Sequence, residues 1–163
     1  MNDDSYDWVL APHMIETSYL YLKASELMWS HSISISIANA ALALEILLKS
    51  FNCKVVSNDG LINEKYQFNA KVLNKKENAH DLVYLFNALP TSIKHKFSSD
   101  LSLILIERYR HTFIESRYIY EKNAITGGTT ALMDMTSRLL KKTISIYLER
   151  GCTDQWIKNY PDV

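Results

Sequence analysis

The chain has 163 residues, with 18 basic and 18 acidic side chains, no net charge and 47% apolar residues. This length predicts a single domain over residues 1–163, and the charge balance argues against a uniformly basic nucleic-acid coat while still allowing a local basic patch. The 4 glycines and 3 prolines are too few for a many-turned β-sandwich or barrel, so the composition favours long helices.

The N-terminal residues and the cysteines both favour a cytoplasmic protein. The chain opens with acidic Asp3 and Asp4, where a secretory signal would carry positive charge before an apolar run. Cys53 and Cys152 lie too far apart in sequence for a disulfide framework, so reduced thiols are expected. A single bridge between the two is the less favoured alternative.

Two helices are predicted in the first third of the chain. Pro12 suits a first helical turn, and apolar residues recur at helical spacing to about Ser30. Residues 32–37 alternate serine with isoleucine, a strand pattern, but they run without a turn into the strong helix former 38–49. We predict a helix over 32–51, with a short strand at the repeat as the alternative. Serines and other polar residues in this stretch favour a buried helix over a membrane span.

Residues 52–79 form a variable insertion, either a small hairpin around Asn58–Gly60 or a loop. A short helix then follows His80–Asp81 and stops at Pro90. The next predicted helices are one capped by Thr91 or Ser92, one over 101–122 capped at 98–100, and one over 129–149 ended by Gly151. Trp156 and Tyr160 in the tail 151–163 suggest docking onto the body or onto a partner.

These elements predict an all-α fold, a bundle of four to six helices with a core over about 12–150 and an insertion around 52–79. The densest polar cluster lies on the predicted helix 101–122. Arg108, His111 and Glu115 share one face of that helix. A histidine can move a proton, an arginine can hold a phosphate and a carboxylate can orient the histidine. Ordinary ion pairs within a bundle are the alternative interpretation.

Two other segments carry weaker signals. His80–Asp81 is either a helix cap or a polar pair at the edge of a groove. Gly127–Thr130 precedes a helix, but no lysine follows its glycines as in a P-loop, so a plain linker is favoured. Zinc-type and serine-hydrolase motifs do not occur in the sequence, and we expect no metal and no cofactor.

The order of these motifs resembles the HEPN superfamily (higher eukaryotes and prokaryotes nucleotide-binding). The resemblance spans about residues 15–150 and depends on an apolar helix ending at Ala43–Lys49, an insertion, the segment His80–Phe86, and a long helix carrying Arg108 and the segment 113–121. It implies an all-α bundle that pairs into a two-fold dimer, often in toxin–antitoxin or antiviral defence systems. Many members are metal-independent ribonucleases, and others bind nucleotides, RNA or protein partners.

The sequence departs from the nuclease motif of that family, in which an arginine precedes a histidine by several residues. Here only Tyr109 and Arg110 separate Arg108 from His111. We therefore expect a HEPN-like homodimer that binds RNA, a nucleotide or a cognate operon protein, with no membrane association and with a degenerate nuclease motif. The candidate RNA- or nucleotide-binding residues are His80, Asp81, Arg110, Arg117 and Tyr118.

Two alternatives stay open at this point. The first is a metal-independent endoribonuclease that uses Arg108 and His111, with Glu115, across a dimer groove. The second is a helical protein-interaction protein of the immunity type, which has no nucleic-acid partner.

Overall fold

The computed structural model describes residues 8–115, 120 and 127–162. These residues form a mostly helical fold with one small sheet. In chain order the elements are α1 (Pro12–Met28), α2 (Ile33–Lys49), β1 (Cys53–Ser57), β2 (Lys65–Phe68), α3 (Leu82–Asn87), α4 (Thr91–Phe97), α5 (Leu103–Arg108), α6 (Thr112–Glu115), α7 (Ala131–Glu149) and α8 (Gln155–Asn159), with 3-10 turns at Ser50–Asn52 and Ala70–Val72.

The helices α1 and α2 form the first packed pair, and small polar residues set how closely they approach. Ser18 Oγ donates to the carbonyl oxygen of Ala43 at 2.7 Å, and Ser25 Oγ donates to that of Ser36 at 2.7 Å. Ser32 caps α2, because its Oγ accepts the backbone N–H of Ile35. The serine–isoleucine repeat is therefore helical, and the strand alternative is wrong. The serines serve as a cap and as an interhelical contact.

The long helix α7 covers this pair and completes the core. Its inner side matches the predicted face, with these residues buried: Leu132, Met135, Leu139, Leu140, Thr143, Ile146 and Tyr147. The Tyr147 hydroxyl accepts the backbone N–H of Ala11 at 3.1 Å. Gly151 has φ +75°, a left-handed conformation that favours glycine and ends the helix as predicted.

The insertion is a hairpin, so that alternative is confirmed. The strands β1 and β2 pair antiparallel, with Cys53 opposite Phe68 and Val55 opposite Tyr66. Asn58 (φ 57°) lies in the connection, where asparagine tolerates the left-handed region better than most residues. The hairpin packs its first strand residue, Cys53, into the protein and leaves most other side chains at least partly exposed.

The predicted helix over 101–122 is wrong as one continuous element. α5 ends at Arg108, a turn covers residues 109–111, and α6 begins at Thr112. The buried ring of Tyr109 lies at the break, and the carbonyl oxygen of Arg110 accepts the N–H of Leu82 at 3.1 Å instead of an intrahelical partner. Residues 116–119 and 121–126 lie outside the described part. This break gives more and shorter helices than the four to six expected.

Two predicted caps are also wrong. α4 follows Pro90 without a side-chain cap, and Ser102 caps α5 by accepting the N–H of Leu105. The tail prediction is confirmed, since Trp156 and Tyr160 both pack edge-on against Tyr19 of α1, at centroid distances of 5.3 and 5.8 Å.

Among the described helices, the segment Ile33–Asn52 is long and apolar enough to cross a membrane by length and composition. However, 56% of its most apolar window is buried inside the fold. Core helices buried in this way meet the same criterion, so this helix is weak evidence for a membrane span.

Candidate functional site

Asp81 contacts two residues of the polar cluster that was predicted on the helix 101–122, Arg110 and His111. Its backbone is extended just before α3, and its Oδ1 accepts the N–H of Val83 at 2.9 Å, which is the predicted cap. Only 1% of the residue is exposed. A carboxylate so deeply buried needs compensating positive charge or hydrogen-bond donors.

Arg110 supplies most of that compensation. Its Nε donates to Asp81 Oδ2 at 3.0 Å and its Nη2 to the same oxygen at 2.7 Å. Its Nη1 donates to Glu107 at 2.9 Å, and the guanidinium lies over the ring of Tyr84. The hydrogen bonds with Asp81, and then those with Glu107, raise the pKa of Arg110 further above its usual range. This predicted binding residue is therefore already neutralised within the chain.

His111 faces the same carboxylate from the turn after α5. Its Nε2 lies 3.6 Å from Asp81 Oδ2, and 43% of its side chain is exposed. The contact is an ion pair only when the imidazole is protonated. This distance is too long for a hydrogen bond, so the carboxylate acts on the ring through charge alone. In the protonated form both ring nitrogens carry N–H donors.

His80 forms a similar arrangement with a different carboxylate. Its Nδ1 lies 2.9 Å from Glu45 Oε1, the oxygen that also accepts from Lys49 Nζ at 2.7 Å. Glu45 is buried, and among the described residues its Oε2 has no hydrogen-bond partner. The His80 side chain is 42% exposed, and its ring lies 6.1 Å from that of Phe113. We call His80, Asp81, Arg110, His111 and Glu45 the Asp81 site.

Sequence reasoning missed Glu45, Lys49 and Glu107 as site residues. The signal for Glu45 was present, because a glutamate followed by a lysine four residues later interrupts an otherwise apolar helix. A charge on such a helix needs a partner when it is buried. Lys49 is a local partner of this glutamate. Its other partner, His80, is 35 positions away in the sequence and is brought to it only by the tertiary fold.

The proposed face of Arg108, His111 and Glu115 does not exist as a helical stripe, because the helix is interrupted between the first two. Arg108 is exposed and its guanidinium lies over the ring of Tyr109, whereas His111 faces Asp81. Glu115 is exposed at the end of α6. The other two candidates, Arg117 and Tyr118, lie outside the described residues.

The segment 127–130 approaches α2 closely. A Cβ atom at Gly128 would lie 2.1 Å from Ile37 Cδ1, so a side chain there would displace the isoleucine. Thr129 Oγ1 accepts the N–H of Ala131, and the Thr130 hydroxyl bonds to Asp134. These local contacts support the linker interpretation over a phosphate-binding loop.

The two cysteines are free and buried. Burial raises the pKa of the Cys53 thiol to about 11, and burial also raises that of Cys152. Both thiols are therefore protonated at neutral pH. Within the described ranges, no three His, Cys, Asp or Glu side chains are grouped so as to hold a metal ion.

The Asp81 site thus consists of two half-exposed imidazoles, each beside a buried carboxylate, and one arginine held in an internal ion pair.

Comparison of the chain with protein-family models, curated proteins and solved structures gives no match.

Proposed function

We propose that the protein is a HEPN-like helical binding module that binds RNA or a nucleotide at the Asp81 site and carries a degenerate nuclease motif. The observation that carries this proposal is the pairing of His80 with Glu45 and of His111 with Asp81. Glu45 holds the His80 ring at hydrogen-bond distance, and the buried Asp81 carboxylate lies 3.6 Å from the His111 ring. A protonated imidazole held in this way presents an N–H donor and positive charge to a phosphate.

The state of the arginines favours binding over cleavage. Arg110 is neutralised by Asp81 and Glu107, so a phosphate would have to displace a buried carboxylate to gain its guanidinium. Arg108 is exposed, but the break in the helix removes the register that would align it with His111. Among the described residues of the site, phosphate recognition is therefore assigned to the two histidines.

The test is a binding titration with a fluorescein-labelled RNA hairpin, followed by anisotropy at several salt concentrations. We expect an affinity that falls as salt rises, because phosphate contacts release counterions. Replacing both His80 and His111 by alanine should weaken binding by about tenfold, as expected when about 1.4 kcal/mol of phosphate contact is lost.

The matched control replaces two exposed histidines outside the site, His31 and His95, by alanine, and we expect this variant to bind as the wild type does. An affinity that is independent of salt, or equal losses in the two double variants, would refute the RNA proposal. Complete absence of binding to RNA and to nucleotides would favour the immunity-type protein-interaction alternative.

A homodimer in the cytoplasm, acting in a defence or toxin–antitoxin operon, is the setting we propose for this module. Sedimentation equilibrium at micromolar concentration should give about twice the chain mass of 18.8 kDa. A mass of one chain under these conditions would contradict a site shared between two copies.

A metal-independent endoribonuclease is the second candidate, favoured by the Asp81–His111 contact alone. Histidines beside carboxylates commonly serve as general bases, and in this candidate His111, 3.6 Å from Asp81, would accept the proton of a ribose 2′-hydroxyl. Cleavage of the same hairpin should then persist in EDTA and be lost in His111→Ala. Because this candidate also uses Arg108 across a dimer groove, Arg108→Ala should reduce cleavage as well. Intact RNA after incubation with folded, dimeric protein would exclude this activity.

A further inference from the structure

An apolar groove lies between α3 and α5, beside the Asp81 site. Its volume is about 640 Å³. Its walls are formed by these residues: Val83, Phe86 and Asn87 from α3, and Leu103, Ile104 and Ile106 from α5, with Glu107 and Arg108 at one end. The groove is thus apolar along its length and charged at one end.

Two large aliphatic side chains at this groove are mostly exposed to solvent. Ile104 is 81% exposed and Leu103 is 62% exposed, although both are large aliphatic residues. Ile106 on the same helix is buried in the core, so α5 has a conventional inner face as well. Adjacent exposed aliphatic side chains that border an apolar cleft are typical of an interaction surface.

Of the two charged residues at the end of the groove, Glu107 forms an ion pair with a described residue and Arg108 does not. Glu107 Oε1 accepts a hydrogen bond from Arg110, so its charge is partly compensated within the chain. Arg108 is exposed, and in the described part of the chain no carboxylate lies within ion-pair distance of its guanidinium. The positive charge of Arg108 therefore remains available at one end of the apolar groove.

The spacing of Ile104 and Arg108 on α5 indicates which kind of segment would fit the groove. Ile104 and Arg108 are four residues apart on α5, which places them on the same helical face one turn from each other. A complementary segment needs aliphatic side chains opposite Ile104 and a carboxylate about one turn further, opposite Arg108. An amphipathic helix laid in the groove supplies both at its own i, i+4 spacing.

We propose that the α3–α5 groove docks an amphipathic helix of a partner protein, with an acidic residue of that helix on Arg108. This surface adjoins the Asp81 site through Glu107, but the proposal does not depend on nucleic-acid binding. The positive charge of Arg108 selects an acidic partner, while Ile104, Leu103 and Phe86 bury its apolar side chains.

The test is a selection from a display library of 16-residue helical peptides in which the residues of one face are varied. Against the wild-type protein, enriched peptides should combine aliphatic residues at i and i+4 with Asp or Glu one turn further. A selected peptide should bind Ile104→Ser at least tenfold more weakly. It should bind the matched control Ile62→Ser, in the exposed hairpin connection, as tightly as the wild type.

Charge reversal makes the test specific. Selection against Arg108→Glu should enrich peptides with Lys or Arg at the position where the wild type selects an acid. Enriched peptides without a charge preference, or peptides that bind Ile104→Ser equally well, would overturn the proposal. A wild-type dimer that Ile104→Ser converts to a monomer would also overturn it, because the groove would then be occupied by a second copy of the chain. Circular dichroism of each variant establishes that it is folded.

Discussion

The Asp81 site and the α3–α5 groove are neighbouring surfaces built on the same short helices, yet their side chains differ in how far they are paired and buried. At the Asp81 site the buried carboxylate accepts hydrogen bonds from the backbone of α3 and from Arg110, and His111 lies beside it. At the groove, large aliphatic side chains and Arg108 are left exposed. The comparison shows that a dense run of charges in a sequence can be structural in part, because Arg110 and Asp81 hold the start of α3 against the turn after α5.

The largest expected effect comes from Asp81→Ala. This change removes the α3 cap and leaves Arg110 without its main partner, so we expect the free energy of unfolding to fall by about 3 kcal/mol or more. Urea denaturation followed by circular dichroism measures it. The control, Glu107→Gln, removes the exposed partner of the same arginine and should cost less than about 0.5 kcal/mol. Equal losses would show that Asp81 is not the structural centre of the site.

Glu45→Gln tests the second buried carboxylate. Lys49 and His80 both lose a charged partner in a largely buried position, so we expect a loss of about 2 kcal/mol in the same assay. Glu26→Gln is a matched control, because Glu26 and Lys23 form an ion pair at the same 2.7 Å distance on exposed surface. A loss in the control as large as that in Glu45→Gln would contradict the assignment of stability to burial.

Alkaline pH should destabilise the protein through the buried thiol of Cys53. The pKa of Cys53 is raised from 9.0 to about 11 in the folded chain, so between these values the unfolded chain releases a proton that the folded chain retains. The free energy of unfolding therefore falls as pH rises from about 9 to 11. Thermal melts across this range should show a shallower decline in Cys53→Ala than in the wild type. Identical slopes would assign the alkaline loss to other groups.

The smallest expected effect is that of Ile104→Ser on stability. Because the side chain is 81% exposed, we expect the free energy of unfolding to change by less than about 0.5 kcal/mol. Ile106→Val, two residues further on the same helix, removes only one methylene but should cost about 1 kcal/mol, since Ile106 is buried. The groove would belong to the core if serine at position 104 proved the more harmful change.

The elements that were predicted correctly carry their signals locally. Periodic apolar residues define α1, α2 and α7, and Asp81 caps α3 because its side chain reaches an N–H only two residues away. These signals need no knowledge of the rest of the chain. The tail was also predicted correctly, because exposed aromatic residues near a chain end favour docking.

The parts that were predicted wrongly depend on distant contacts. The helix over 101–122 breaks where Tyr109 enters the core and where Arg110 bonds to Leu82 and Asp81, residues 28 and 29 positions before Arg110. A helical wheel assumes that the helix continues, so it placed Arg108 and His111 together. It also gave no indication that His111 faces Asp81 and that His80 faces Glu45. The chemistry of the candidate site therefore follows from tertiary pairing, which periodicity does not record.

The bond between Ala11 and Tyr147 spans 136 positions, and that between Trp8 and Arg150 spans 142. Both contacts need α7, so neither can form before that helix has been made. A chain truncated before α7 would leave uncovered the apolar face of the α1–α2 pair, and we expect it to aggregate. The two contacts thus fasten residues 8–11 to the C-terminal end of α7 once that helix is in place.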